Sequence, residues 1–282
     1  MSSPARWSLS PSDETLPLPG GAALAVRRWP GAEPQRSGAW ILHLHGGAFV
    51  GGSLDSGAPV AQLLAETAGL VVSLDYPLAP ANPFPMAAEA AHAALLALDR
   101  QRRRVAPNAP LLVAGEEAGG NIAAAAALMA RDRAGPLLAG QILLSPMLDA
   151  CIGTASQRAS RDGPLGCRCA DGWRAYLPDA GDAVHPYATP ADSVRLAGLP
   201  PALLITANDD PQRDETLAFD RRLRAAGVSS RAVVLPMRTG WPCSLALPDT
   251  NAAWATPLRE TLRHFITSTP TSSSDSLQRE NA

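Results

Sequence analysis

The chain has 282 residues, 46% of them apolar, enough for one substantial α/β core, and its formal net charge of −2 gives no electrostatic case for nucleic acid or an acidic membrane surface. All 24 basic residues are arginine, which excludes chemistry that needs a lysine amine, such as Schiff-base formation, a pyridoxal phosphate anchor or a Walker-type phosphate loop. No signal-peptide pattern and no apolar run of membrane-spanning length occurs, and four scattered cysteines make no disulfide framework, so a cytoplasmic protein is expected.

Residues 1–16 are polar and predicted to be irregular. Ala23–Trp29 and Trp40–Leu44 read as an early pair of strands. Strand-like runs recur at Leu70–Leu74, Leu111–Ala114, Gln141–Leu144, Ala202–Thr206 and Ala232–Leu235. Helical stretches fall between or after them, at about 58–68, 87–101, 118–131, 215–226 and 251–265. Such alternation predicts a mostly parallel sheet covered on both faces, with ligand sites at the carboxyl ends of its strands. The segment from Ala150 to Pro190 breaks the period and carries Trp173 and Tyr176, so a cap or lid is expected there. Residues 17–266 are read as a single domain, and 267–282, rich in Ser and Thr, as a disordered tail. Cys167 and Cys169 lack partners to complete a metal site, so no metal and no cofactor is expected.

Two glycine-rich turns carry the chemistry. Gly115-Glu116-Glu117-Ala118-Gly119, between a strand and an alanine-rich helix, has the frame of a Gly-x-Ser-x-Gly nucleophile elbow with glutamate at the nucleophile position. His45-Gly46-Gly47-Ala48 follows directly on an earlier strand, where glycines aim backbone N–H groups into a cleft; with the amide of Ala118 they form an oxyanion hole. Asp75-Tyr76-Pro77-Leu78-Ala79-Pro80, Pro83-Phe84-Pro85 and Asp210-Pro211-Gln212-Arg213-Asp214-Glu215 follow in a fixed order around the elbow.

Together these motifs resemble the hormone-sensitive-lipase-like family of α/β-hydrolase esterases over roughly residues 23–265. The resemblance implies an α/β-hydrolase fold with a cap, here reduced, and ester hydrolysis by Ser, His and Asp. Carried onto this chain, it places Glu117 at the nucleophile, Asp210 at the acid and Thr239 at the base, in Thr239-Gly240-Trp241 where the family has a histidine. No histidine lies between His185 and His264. The chain is therefore expected to be inactive as an esterase and to bind a small molecule or a partner. The alternative is altered chemistry centred on Glu117 and Asp210. A carboxylate at the elbow sits at a helix N-terminus, and if it folds back onto the oxyanion loop it excludes a substrate's developing charge. The few residues ahead of the first strand lead us to expect a shortened N-terminal cap and a more open cleft.

Overall fold

The computed structural model describes residues 10–35, 38–159, 164–247 and 252–269, with the side chains of 164–167 and 180 outside that description. Eight strands form one sheet: β1 (Ser12–Pro17), β2 (Ala23–Pro30), β3 (Trp40–Leu44), β4 (Leu70–Leu74), β5 (Leu111–Glu116), β6 (Gly140–Leu144), β7 (Ala202–Ala207) and β8 (Ser230–Leu235). Their order is β1-β2-β4-β3-β5-β6-β7-β8, with β1/β2 and β2/β4 antiparallel and the rest parallel.

The strands of the parallel core are apolar at nearly every position because both faces are covered. Leu42, Leu44, Val72, Leu74 and Val113 point to one side, where α2 (Met86–Val105), α3 (Ala118–Asp132) and α6 (Arg213–Ala225) pack. Ile41, Val71, Leu112, Ile142 and Ile205 point to the other, under α1 (Ala58–Ala65) and α7 (Ala255–Ser268). Helix α7 presents Leu258, Leu262 and Ile266, an i, i+4, i+8 stripe, to that layer. Helix α3 is buried all round from Ala118 to Ala130, and its small alanines let it lie close across the centre of the sheet. The segment after β6, where a cap is expected, forms helices α4 (Ala155–Ala159) and α5 (Pro164–Tyr176). Among the described residues no helix is long and apolar enough to cross a membrane.

Three sequence expectations are corrected. The N-terminal stretch is not irregular throughout: Ser12–Leu16 belongs to β1, held to β2 by the ladder and by Arg27–Asp13 and Arg28–Glu14 ion pairs at 2.6 and 2.8 Å. The runs read as an early strand pair are not neighbours, because β4 lies between β2 and β3. Thr267 and Ser268, assigned to the tail, belong instead to α7, which continues through Ser268 on its Ile266 anchor; residues 270–282 lie outside the described residues.

Candidate functional site

The site forms where β3, β5 and β7 end. The turn after β5 puts Glu117 at φ 53°, ψ −116°, a conformation costly for any residue with a Cβ and found where a side chain must be thrust into a cleft. Gly119 lets the turn press against the end of β3: a Cβ there would lie 2.0 Å from the Leu44 carbonyl oxygen. The turn is locked by backbone bonds, Glu117 donating to Leu144 and accepting from Met147, both at 3.0 Å.

The Glu117 side chain does not point outward. Its Oε2 accepts a hydrogen bond from the Gly47 amide at 2.6 Å, so the carboxylate lies against the glycine-rich loop after β3, where the oxyanion hole is expected. Burial pushes this carboxyl above its ordinary value, against the Gly47 and Ala48 amides and the Arg168 guanidinium, which favour the charged form, while Glu116 adds to the rise. Ala118 is buried at the first position of α3, directly after the elbow.

Glu116 serves the scaffold. Its Oε1 accepts from the Gly46 amide at 3.1 Å and its Oε2 pairs with His43 Nε2 at 2.8 Å. His43 Nδ1 meets Ser73 Oγ at 2.9 Å, and Trp29 Nε1 donates to the same hydroxyl at 3.1 Å. This buried chain ties β2, β4, β3 and β5 together behind the loop. His45 stacks on Tyr76 at 4.3 Å between ring centroids and bonds the Gly46 carbonyl through Nδ1, and Tyr76 donates to the His45 carbonyl at 2.7 Å. None of the three buried histidines, His43, His45 and His92, lines the cleft, while His185 and His264 are exposed.

Asp210 follows β7 and is buried. It accepts from Thr206 Oγ1 at 2.6 Å, Ser145 Oγ at 2.8 Å and the Gln212 amide at 2.9 Å. Burial raises its pKa against those three donors. Thr239 turns to the neighbouring carboxylate instead: its amide and hydroxyl, with the Gly240 amide, donate to Asp209 at 2.9 to 3.1 Å. Partial burial works against ionisation of Asp209, but these donors hold its pKa below the usual value. Glu117 and Asp210, the two carboxylates of the alternative chemistry, are thus each engaged by separate donors and share no hydrogen bond.

Beside Glu117 opens a cleft of about 180 Å³ lined by Gly46, Gly47, Glu116, Glu117, Arg168 and Cys243, with Ser56 and residues of the 242–246 segment completing it. Helix α5 closes one side. Helix α5 lies directly on the oxyanion loop at Gly172, where a Cβ would sit 2.2 Å from the Ala48 carbonyl oxygen. Phe49, the next loop residue, stacks on Tyr176 of α5 at 4.0 Å and contacts Trp173 at 4.8 Å. Arg168 and Cys243 were not singled out for this cleft by motif; their signal was the cap segment and the loop after β8. Among the described residues no group of three or more His, Cys, Asp or Glu is placed to hold a metal ion.

The architecture has many solved counterparts. A thermostable esterase from Pseudomonas putida ECU1011 superposes with a TM-score of 0.81 at 27% identity, covering 92% of this chain and 83% of that one. In sequence the chain is 37% identical to the carboxylesterase NlhH of Mycobacterium tuberculosis over 196 residues, 67% of this chain and 61% of that protein. It is 33% identical to an ethyl acetate hydrolase of Pseudomonas putida over 242 residues, 80% and 73% of the two chains. The chain spans about three fifths of the length of the mycobacterial carboxylesterases it matches. The family model described as the alpha/beta hydrolase fold matches residues 41–239. With the sheet order and the positive-φ turn after β5 in place, the chain belongs to the α/β-hydrolase esterase family.

Proposed function

We propose that this chain is a carboxylesterase homologue without esterase activity, retained to bind a small molecule in the cleft beneath its cap. The observation that carries this reading is the Gly47 amide donating to Glu117 Oε2 at 2.6 Å. The donor that would stabilise an oxyanion is engaged by the chain's own carboxylate, whose negative charge opposes a second one in the same place. Position 117 supplies no hydroxyl nucleophile, and Thr239 supplies no imidazole. Acid and base positions are also uncoupled, with Asp210 satisfied by Ser145, Thr206 and Gln212 and Thr239 bound to Asp209. Losing a nucleophile or base in a serine hydrolase costs on the order of a million-fold in kcat.

A second reading makes Glu117 a general base. One observation favours it: burial raises its pKa, as catalytic carboxylates require. Hydrolysis of p-nitrophenyl acetate and butyrate separates the two. Wild type and Glu117→Ala are expected to be equally inert, and Glu117→Ser combined with Thr239→His to gain turnover above both. Wild-type turnover abolished by Glu117→Ala would make the glutamate a catalyst and overturn the first reading.

A further inference from the structure

A second, larger concavity lies at the opposite end of the sheet. Leu111 opens β5, and Ala139 and Pro201 immediately precede β6 and β7; these amino ends floor a groove of about 970 Å³. Glu117 and Asp210 follow the carboxyl ends of β5 and β7, so the groove is separate from the cleft under the cap. Its walls are apolar. Five of the lining residues are proline, which offers no backbone N–H to a peptide, and Leu137 stands 62% exposed at the edge.

Among the described residues, only three lining side chains carry charge, and all three are arginines: Arg102, Arg103 and Arg131. Arg102 and Arg103 share one carboxylate, Asp99, at 2.7 and 2.6 Å. Arg131 shares Asp132 with Arg195, at 2.8 and 3.9 Å. Each cluster therefore keeps one positive charge in excess. Arg102 is also bound to the Pro107 and Ala109 carbonyls, and Arg131 to those of Arg195 and Ala197. Arg103 differs: it engages Asp99 through Nε, its side chain is 64% exposed, and its terminal N–H groups have no hydrogen bond among the described residues.

We propose that this groove binds a long-chain carboxylate, with the alkyl chain along the proline, alanine and leucine walls and the carboxylate on the guanidinium of Arg103. An apolar concavity with a few convergent polar groups is the usual form of a small-molecule site, and its volume is at the top of the usual range. A planar guanidinium pairs with a carboxylate through two parallel hydrogen bonds. The excess positive charge selects against cationic amphiphiles. The five prolines have no N–H to donate to a peptide strand, which favours a hydrocarbon over an extended acidic peptide.

The test is isothermal titration of the full chain with octanoate, decanoate and dodecanoate below their aggregation concentrations. A fully buried methylene contributes about a fourfold change in Kd, so affinity should rise by roughly tenfold or more from octanoate to dodecanoate even with half the chain in solvent. Dodecylammonium should bind more weakly than dodecanoate. Leu137→Asp and Arg103→Glu, both at exposed positions, should each weaken dodecanoate by about fivefold or more, and Glu117→Ala should leave it unchanged. Affinity independent of chain length, or unmoved by both groove variants, overturns the proposal. So does loss of binding in Glu117→Ala, which would place the chain in the cleft, or binding seen only with anionic vesicles.

Discussion

Replacing Glu117 with alanine sets two effects of the same carboxyl against each other, and pH selects between them. At pH 4.5, the ordinary value for a glutamate, the folded protein holds Glu117 mainly protonated because burial raises its pKa. Alanine then removes a hydrogen bond to Gly47 worth about 1 kcal/mol, while backbone strain at φ 53° is unchanged because alanine keeps its Cβ. A melting temperature lower by about 2–4 °C is expected for a domain of this size. As pH rises through the folded pKa the carboxyl ionises in a partly desolvated site, and the folded state carries a penalty that the unfolded chain does not. Alanine relieves it, so the variant's deficit should shrink to zero or reverse. The sign follows from linkage: a raised folded pKa means the native state binds the proton more tightly, so wild-type stability falls as pH rises from 4.5 through the folded value. Calorimetric scans of both proteins at pH 4.5 and 8 measure the difference. A deficit that grows with pH, or a loss above about 3 kcal/mol at pH 8, would show that the charged carboxylate is a structural tie and refute this reasoning.

The neighbouring glutamate should behave in the opposite way. Glu116→Ala strands buried His43 and the Gly46 amide, and a loss of about 3 kcal/mol is expected in denaturant titration. Gly172→Ala forces α5 off the oxyanion loop, so about 1–3 kcal/mol of stability should go and proteolysis within the cap should quicken. Asp210 and Glu215 have pKa values raised by burial, as Glu117 does, so wild type should melt higher near pH 5.5 than at pH 8. Asp209 and Asp214 are held below 3.8 by their donors despite partial burial, so stability should fall again as pH drops through that region.

Features set by local rules could be read from the residues. The Gly-rich frame around Glu117 marks the turn between β5 and α3, where Glu117 takes φ 53°, and the apolar runs at Trp40–Leu44 and Leu70–Leu74 match β3 and β4 residue for residue. What depended on distant partners could not. β1 exposes five of its six residues, so no alternation marks it; its cross-strand pairs with Arg27 and Arg28 are the only signal. Asp209 and Asp210 are adjacent in sequence, and motif matching selects the second. Which one meets Thr239 is set by the path of the loop after β8, and it is the first. Ser145, directly after β6, belongs to no motif, yet its hydroxyl is one of the three donors that satisfy Asp210. The fold-back of Glu117 was foreseeable as one of its options, since amides at a glycine-rich turn attract a carboxylate; that it reaches Gly47, 70 residues away, required the structure.

Whether the carboxylate of Glu117 fills the oxyanion loop can be read from one nucleus pair, the Gly47 amide in a ¹H–¹⁵N spectrum followed through a pH titration. An amide proton donated to a carboxylate at 2.6 Å should resonate far downfield, move as Glu117 protonates, and return toward the ordinary range in Glu117→Ala. A Gly47 amide that ignores both the titration and the substitution would place Glu117 elsewhere, leave the loop free to stabilise an oxyanion, and contradict the self-occupied site.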